Sequence, residues 1–126
     1  MAYINASVND SSTIVLAPTE EIKNAAHTFV EVDDTGKLKK AAAGAAAIGV
    51  VLSPVEDDDN LYTVQIQNMG LVRAEEEVKI GFPLAVGADG GAKKAATGEF
   101  IMGYCTRGVA KGGLCEIHLS KSGYEK

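Results

Sequence analysis

Apolar and polar positions alternate along much of this chain with the two-residue period of strands. In Leu61 to Gln67, Tyr62, Val64 and Ile66 fall on one side and Thr63 and Gln65 on the other. Successive side chains of a strand point to opposite faces, so the first set is predicted to face a core and the second to face outward. Leu114 to Ser120 repeats the pattern, with Cys115, Ile117 and Leu119 opposed to Glu116 and His118. Thr13 to Ala17 reads as a further short strand and Leu71 to Ala74 as a connecting one. Pro83 marks the entry to another strand, where proline is tolerated at a first or edge position. Pro18-Thr19-Glu20-Glu21 carries helix-start signals and predicts one helical turn ending near Asn24.

The pattern is duplicated. Sliding the sequence by 54 residues places Val32 to Gly49 on Val86 to Gly103 with eight identities in eighteen ungapped positions. These are Val32/Val86, Gly36/Gly90, Lys39/Lys93, Lys40/Lys94, Ala41/Ala95, Ala42/Ala96, Gly44/Gly98 and Gly49/Gly103. One residue out of that register, Leu61 to Gln67 then falls on Leu114 to Ser120. Alone, KLKKAAAGAAAIG favours a helix. Its partner KKAATGEFIMG does not, and two copies of one motif share a backbone, so both are read as strand and turn. Each unit, about 29–67 and 83–120, then runs as a strand (Phe29 to Val32; Leu84 to Val86), an Asp/Gly turn, a short Lys-Lys-Ala-Ala strand and a glycine turn. A hairpin closes each: Ile48 to Val55 with Leu61 to Gln67, and Ile101 to Val109 with Leu114 to Ser120. The glycines Gly36, Gly90, Gly49 and Gly103 are expected to supply positive φ at turns or bulges.

Composition agrees with an all-β chain. The 126 residues suffice for one domain, 13–126, and include fourteen glycines but only 6% aromatic residues, which favours tight turns between short elements. Residues 1–12 are polar, with Ile4, Ala6 and Val8 as their only apolar alternation, and are expected to form a flexible N-terminal arm. A net charge of −5 and a pI near 5.0 argue against nucleic acid or anionic lipid as partner. No stretch has the roughly 20 apolar residues of a membrane span, and the start carries no secretory signal, so synthesis in the cytoplasm is expected. Cys105 and Cys115 lack metal or redox spacing and are read as reduced, at least partly buried thiols.

Candidate chemistry is sparse. His118 falls on the outward face of its strand, and His27 has no carboxylate or cysteine at a motif spacing, so neither receives a catalytic role. Asp57-Asp58-Asp59-Asn60 lacks the alternating ligands and distal Glu of a calcium loop and reads as a solvated hairpin tip; Glu75-Glu76-Glu77 reads as a solvated turn. Lys39-Lys40 and Lys93-Lys94 adjoin acidic residues, and no glycine motif cradles a phosphate. The expectation is a protein without catalytic residues, cofactor or metal.

Strand, Asp/Gly turn, Ala/Gly segment, Ile-Gly-Val, hairpin, and the same again resembles the small capsid decoration (cement) proteins of tailed bacteriophages. The resemblance is carried by Glu21 to Leu52, Tyr62 to Cys105 and Leu114 to Leu119. The acidic stretches Glu56 to Asn60 and Glu75 to Glu77 depart from it. It implies a small β-barrel or sandwich on the outer surface of an assembled head, where it clamps neighbouring major capsid protein subunits. It also implies a homotrimer or other homo-oligomer on the capsid. A cement protein needs a segment that orders on the lattice, and Tyr3, Ile4, Ala6 and Val8 of the arm are the candidate capsid-binding residues, adding an edge strand to a neighbour. The alternative is a small-ligand or carbohydrate-binding β module, against which stands the absence of Trp for a sugar platform.

Overall fold

The computed structural model describes residues 13–22, 24–55 and 58–126, of which 53–55 and 58–60 as backbone only. Twelve strands carry the described chain, and no helix occurs among the described residues. The first five are β1 (Thr13–Leu16), β2 (Phe29–Val32), β3 (Leu38–Lys40), β4 (Gly49–Val55) and β5 (Asp58–Gln65). They form one antiparallel sheet in the order β1-β5-β4-β2-β3. The next group is β6 (Asn68–Arg73), β7 (Pro83–Val86), β8 (Ala92–Lys94), β9 (Phe100–Ile101), β10 (Gly103–Arg107) and β11 (Leu114–Leu119), and the chain ends with β12 (Gly123–Tyr124). A second sheet has the order β6-β11-β10-β7-β8, while β9 pairs with β12.

The two orders are the same order. β1, β2, β3, β4 and β5 correspond to β6, β7, β8, β10 and β11, so the duplication seen in the sequence also takes in β1 and β6. Hydrogen bonds repeat at the 54-residue spacing. Ile48 N–H to Val30 O (2.8 Å) matches Met102 N–H to Leu84 O (2.8 Å), and His27 N–H to Val51 O (2.7 Å) matches Gly81 N–H to Cys105 O (2.8 Å). Only Ile66 and Gln67 join β5 to β6, which lie in different sheets.

Each sheet curls until its ends meet. Just past β1, Pro18 forms a parallel bridge to Leu38 of β3; just past β6, Ala74 forms the matching bridge to Ala92 of β8. Leu38 donates its N–H to Ala17 O (2.8 Å) and accepts from Thr19 N–H (2.9 Å). This replaces the helical turn expected from Pro18 onward. Residues 17–19 are held extended as the closing stave, the Thr19 hydroxyl bonds Leu38 O (3.3 Å) instead of capping a helix, and Asn24 takes φ +53°. Tertiary pairing supplies the backbone bonds that a lone helical turn would have made, and the local capping signal loses.

Gly49 and Gly103 also differ from expectation. Neither has positive φ. A side chain at Gly49 would collide with the carbonyl oxygen of Gln65, and at Gly103 with that of His118, the matching positions on the neighbouring strands. Both glycines therefore permit close strand approach. Gly36 and Gly90 do have φ near +85° (+86° and +84°), in matched turns.

Three apolar clusters fill the molecule. The first barrel encloses Val30, Leu38, Val51, Tyr62 and Val64, flanked by Ile22 and Ala25. The second encloses Leu84, Ala92, Cys105, Cys115, Ile117 and Leu119, and its cluster runs on to Phe29 and Val50, which lie on the outward face of the first barrel. A third, Ala85, Ala95 and Ile101, includes the strand that pairs with β12. Gln65, expected on an outward face, is buried; its side-chain amide donates to Gln67 O (3.0 Å) and to Met69 O, which fixes the corner into β6.

Candidate functional site

The seam between the barrels is built from both side-chain packing and hydrogen bonds. Phe29 and Val50 are fully buried there. Phe29 donates its N–H to Gly90 O (2.8 Å). Gly44, at φ +72°, donates to Val86 O (2.9 Å) and accepts from Phe100 N–H (3.1 Å). A second zone lies where the turn before β2 meets β6. The His27 carbonyl accepts from Arg73 N–H (2.9 Å), the Ala26 carbonyl from the Arg73 guanidinium (3.3 Å), and His27 Nδ1 lies 3.3 Å from Leu71 O. His27 takes φ +65° to make these contacts. Its place in the structure is this seam.

On the far side of the second barrel, the C-terminal segment takes over part of the same role. Gly98, the mate of Gly44, donates its N–H to Glu125 O (2.8 Å), as Gly44 does to Val86. Tyr124 packs edge-on against Phe100 with ring centroids 5.2 Å apart. The last residues thus cover the second barrel partly as the second barrel covers the first.

The acidic positions acquire specific tasks. Asp33 Oδ1 accepts from the Thr35 hydroxyl (2.6 Å), Thr35 N–H (2.8 Å) and Lys37 N–H (3.0 Å). The Thr35 hydroxyl bond foremost, then the Lys37 amide, holds the Asp33 carboxyl below its ordinary range. In the second unit Gly87 stands at this place. The matching amides, Asp89 N–H (3.0 Å) and Gly91 N–H (2.6 Å), are bonded instead by Glu75 Oε2. Glu75 is therefore a half-buried staple between the end of β6 and the turn before β8, a correction to its reading as a solvated residue. Glu76 also reaches a backbone amide, that of Lys94 (3.3 Å), while Glu77 is exposed.

Other singled-out residues scatter. Lys93 pairs with Glu99 at 2.5 Å, and that bond holds the Glu99 carboxyl low. Lys94 stands 4.6 Å over the Phe82 ring. Lys39 and Lys40 are exposed, as is His118 on the outward face of β11. Asp58 to Asn60 belong to the backbone of β5, and Glu56 and Asp57 lie outside the described residues. Tyr3, Ile4, Ala6 and Val8, the candidate capsid-binding residues, also lie outside the described residues. Cys105 and Cys115 are free and buried. Burial pushes the Cys105 thiol up, and burial with the neighbouring Cys105 pushes Cys115 up to about 11. They do not face one another: Cys105 is opposite Ile117 in β11, and Cys115 is opposite Val72 in β6.

Among the described residues, no group of three His, Cys, Asp or Glu side chains is gathered to hold a metal. A depression of about 590 Å³ lies along the seam between Lys40, Arg73, Glu75, Asp89 and Lys111. It is open and charged, and no aromatic ring lines it. Sequence reasoning missed Arg73 and the seam because seam residues are recognisable only when mates are compared: Phe29 and Val50 correspond to Pro83 and Tyr104, a different chemistry at the same place.

No family model matches the chain. No curated protein matches it either. Among solved structures, the head fiber gp8.5 N base of bacteriophage phi29 superposes with a TM-score of 0.71 at 19% identity, covering 90% of this chain and 99% of that one. The all-β fold built here from paired strands is thus also the fold of a phage head fiber base.

Proposed function

We propose that this protein is a structural component of a phage virion that sits on the outer surface of the head. The observation that carries this reading is the near-complete overlap with the phi29 head fiber base, covering 99% of that chain. The sequence resemblance to capsid decoration proteins supports the same role from independent features. The finer reading is that the protein clamps neighbouring major capsid protein subunits and stabilises the head, acting as a homotrimer or other homo-oligomer without catalysing a reaction. It is made in the host cytoplasm and joins heads there. Attachment is assigned to the N-terminal arm through Tyr3, Ile4, Ala6 and Val8, which add a strand to a capsid edge.

The test is co-sedimentation of the purified full chain with assembled heads that lack it, followed by heating. Saturable binding and a higher temperature of head disruption are expected. Removing Met1 to Ser11 should leave the domain folded and weaken binding at least tenfold. Failure of the intact chain to bind any head removes the virion reading. Unchanged binding after the deletion removes the arm from it.

A further inference from the structure

We infer that a second copy of this chain docks head to tail, its β1 edge seated on the turn before β7 and on β10, in the manner of the second zone of the internal seam. The apolar side chains left exposed mark the two faces. Five large ones are exposed among the described residues: Val15 (50%), Val32 (37%), Ile80 (74%), Tyr104 (40%) and Tyr124 (64%). Four of them are mates of seam residues. By strand register, Val15 corresponds to Leu71 and Val32 to Val86, on the side the second barrel presents to the first. Tyr104 corresponds to Val50, and Ile80 to Ala26, on the side the first barrel presents to the second. Inside the chain these places are covered: Val50 and Val86 are fully buried, and the Ala26 carbonyl is bonded by Arg73.

A heterologous contact has two different faces, and a molecule built by repeating one leaves an unused copy of each at its ends. Here Val15 is on one end, and Ile80 and Tyr104 are on the other. The first zone of the seam cannot recur in full. Pro83 stands where Phe29 gives its N–H to Gly90, so that donor is missing. The N–H of Gly98 is taken by Glu125 within the chain. The second zone has neither obstacle. The carbonyl of Gly81, mate of His27, can accept from Ala17 N–H of the incoming copy, as His27 O accepts from Arg73. Val15 then meets the outward face of β10 that carries Tyr104, as Leu71 lines the seam beside His27 and Leu52 of β4. Ile80, the most exposed of the five, enlarges what the mate Ala26 offers.

This inference rests on the virion reading only in supposing many copies side by side, and it is tested independently of it. Val15→Cys and Tyr104→Cys variants of the full chain are mixed and treated with a short bismaleimide, free in solution and on heads. The native thiols are buried and stay unreacted. The expected result is linked chains from the mixture and none from either variant alone, with Ile80→Glu reducing the linked yield at least tenfold. Ile80→Glu sits on an exposed turn and should keep its unfolding temperature, which separates lost docking from lost fold. Absence of linked chains in both settings overturns the inference, as does linking of one variant to itself. So does an Ile80→Glu chain that loses heads but keeps its linking, since that makes the capsid the occupant. Head binding is scored separately in the same samples and decides the virion reading alone.

Discussion

Asp33 and Glu75 show how one structural task can be moved between residues. Each supplies a carboxylate to the same pair of turn amides, from within the turn in one unit and from the end of β6 in the other. Where Glu75 does so, position 87 must be glycine, because a Cβ there would run into the Glu75 carboxylate. Glu75→Ala should cost about 1.5 kcal/mol in urea unfolding, the low end of the range for hydrogen bonds to charged groups, because the Asp89 amide is exposed and the Gly91 amide only partly buried. Gly87→Asp should also destabilise. The double variant should recover most of the loss by recreating the Asp33 arrangement; additive losses would mean that the two carboxylates are not equivalent. The thiols give a second residue-scale test. With Cys115 raised to about 11, it is a neutral thiol at neutral pH and a poor nucleophile. Native protein at pH 8 should take up alkylating reagent at least tenfold more slowly than unfolded protein, with both thiols labelled after unfolding. The ionised thiol is disfavoured in the fold, so stability is intact below the ordinary thiol pKa of ~8.5 and falls as pH rises from there toward 11.

Among the elements, β12 shows how much a few residues can do at the end of a repeat. Glu125 bonds Gly98 N–H and gives its own N–H to Glu99 O, while Tyr124 stacks on Phe100. Two backbone bonds of about 1 kcal/mol each and an edge-on aromatic pair of about 1 kcal/mol predict that truncation after Ser122 costs roughly 2–3 kcal/mol, read by thermal unfolding. An unchanged midpoint would show the segment to be idle. Most strands were legible from alternation and duplication: β2, β4, β5, β7, β10 and β11 fall within a few residues of expectation. β12 was not, since a two-residue strand has no period to read. The equivalence of β1 and β6 was equally hidden, because TIVL and MGLV share a place in the sheet order but little sequence. The helical turn expected after Pro18 failed because capping signals are local, whereas barrel closure through Leu38 is not.

At the scale of the whole molecule, duplication was readable and the way the halves meet was not. Phe29 and Val50 are apolar in any reading, but only the arrangement of the barrels shows that each is buried by the other unit rather than by its own. The face proposed to receive a second copy was the least legible part: Ile80 and Tyr104 are ordinary turn and strand residues until set beside Ala26 and Val50. The two-residue connection between β5 and β6 bears on how the chain reaches this state. Two strands so joined meet in microseconds as a hairpin, whereas β1 must travel the length of its unit to claim the edge of β5. If the quick pairing forms first, it has to come apart before the slow one can. Refolding should therefore show a folding limb that flattens at low denaturant, and Gln65→Ala, which releases the corner, should deepen the flattening more than it speeds unfolding. A limb that stays straight into water would mean that β5 waits for β1, and that the corner at Gln65 sets the timing of assembly by keeping the wrong neighbour away.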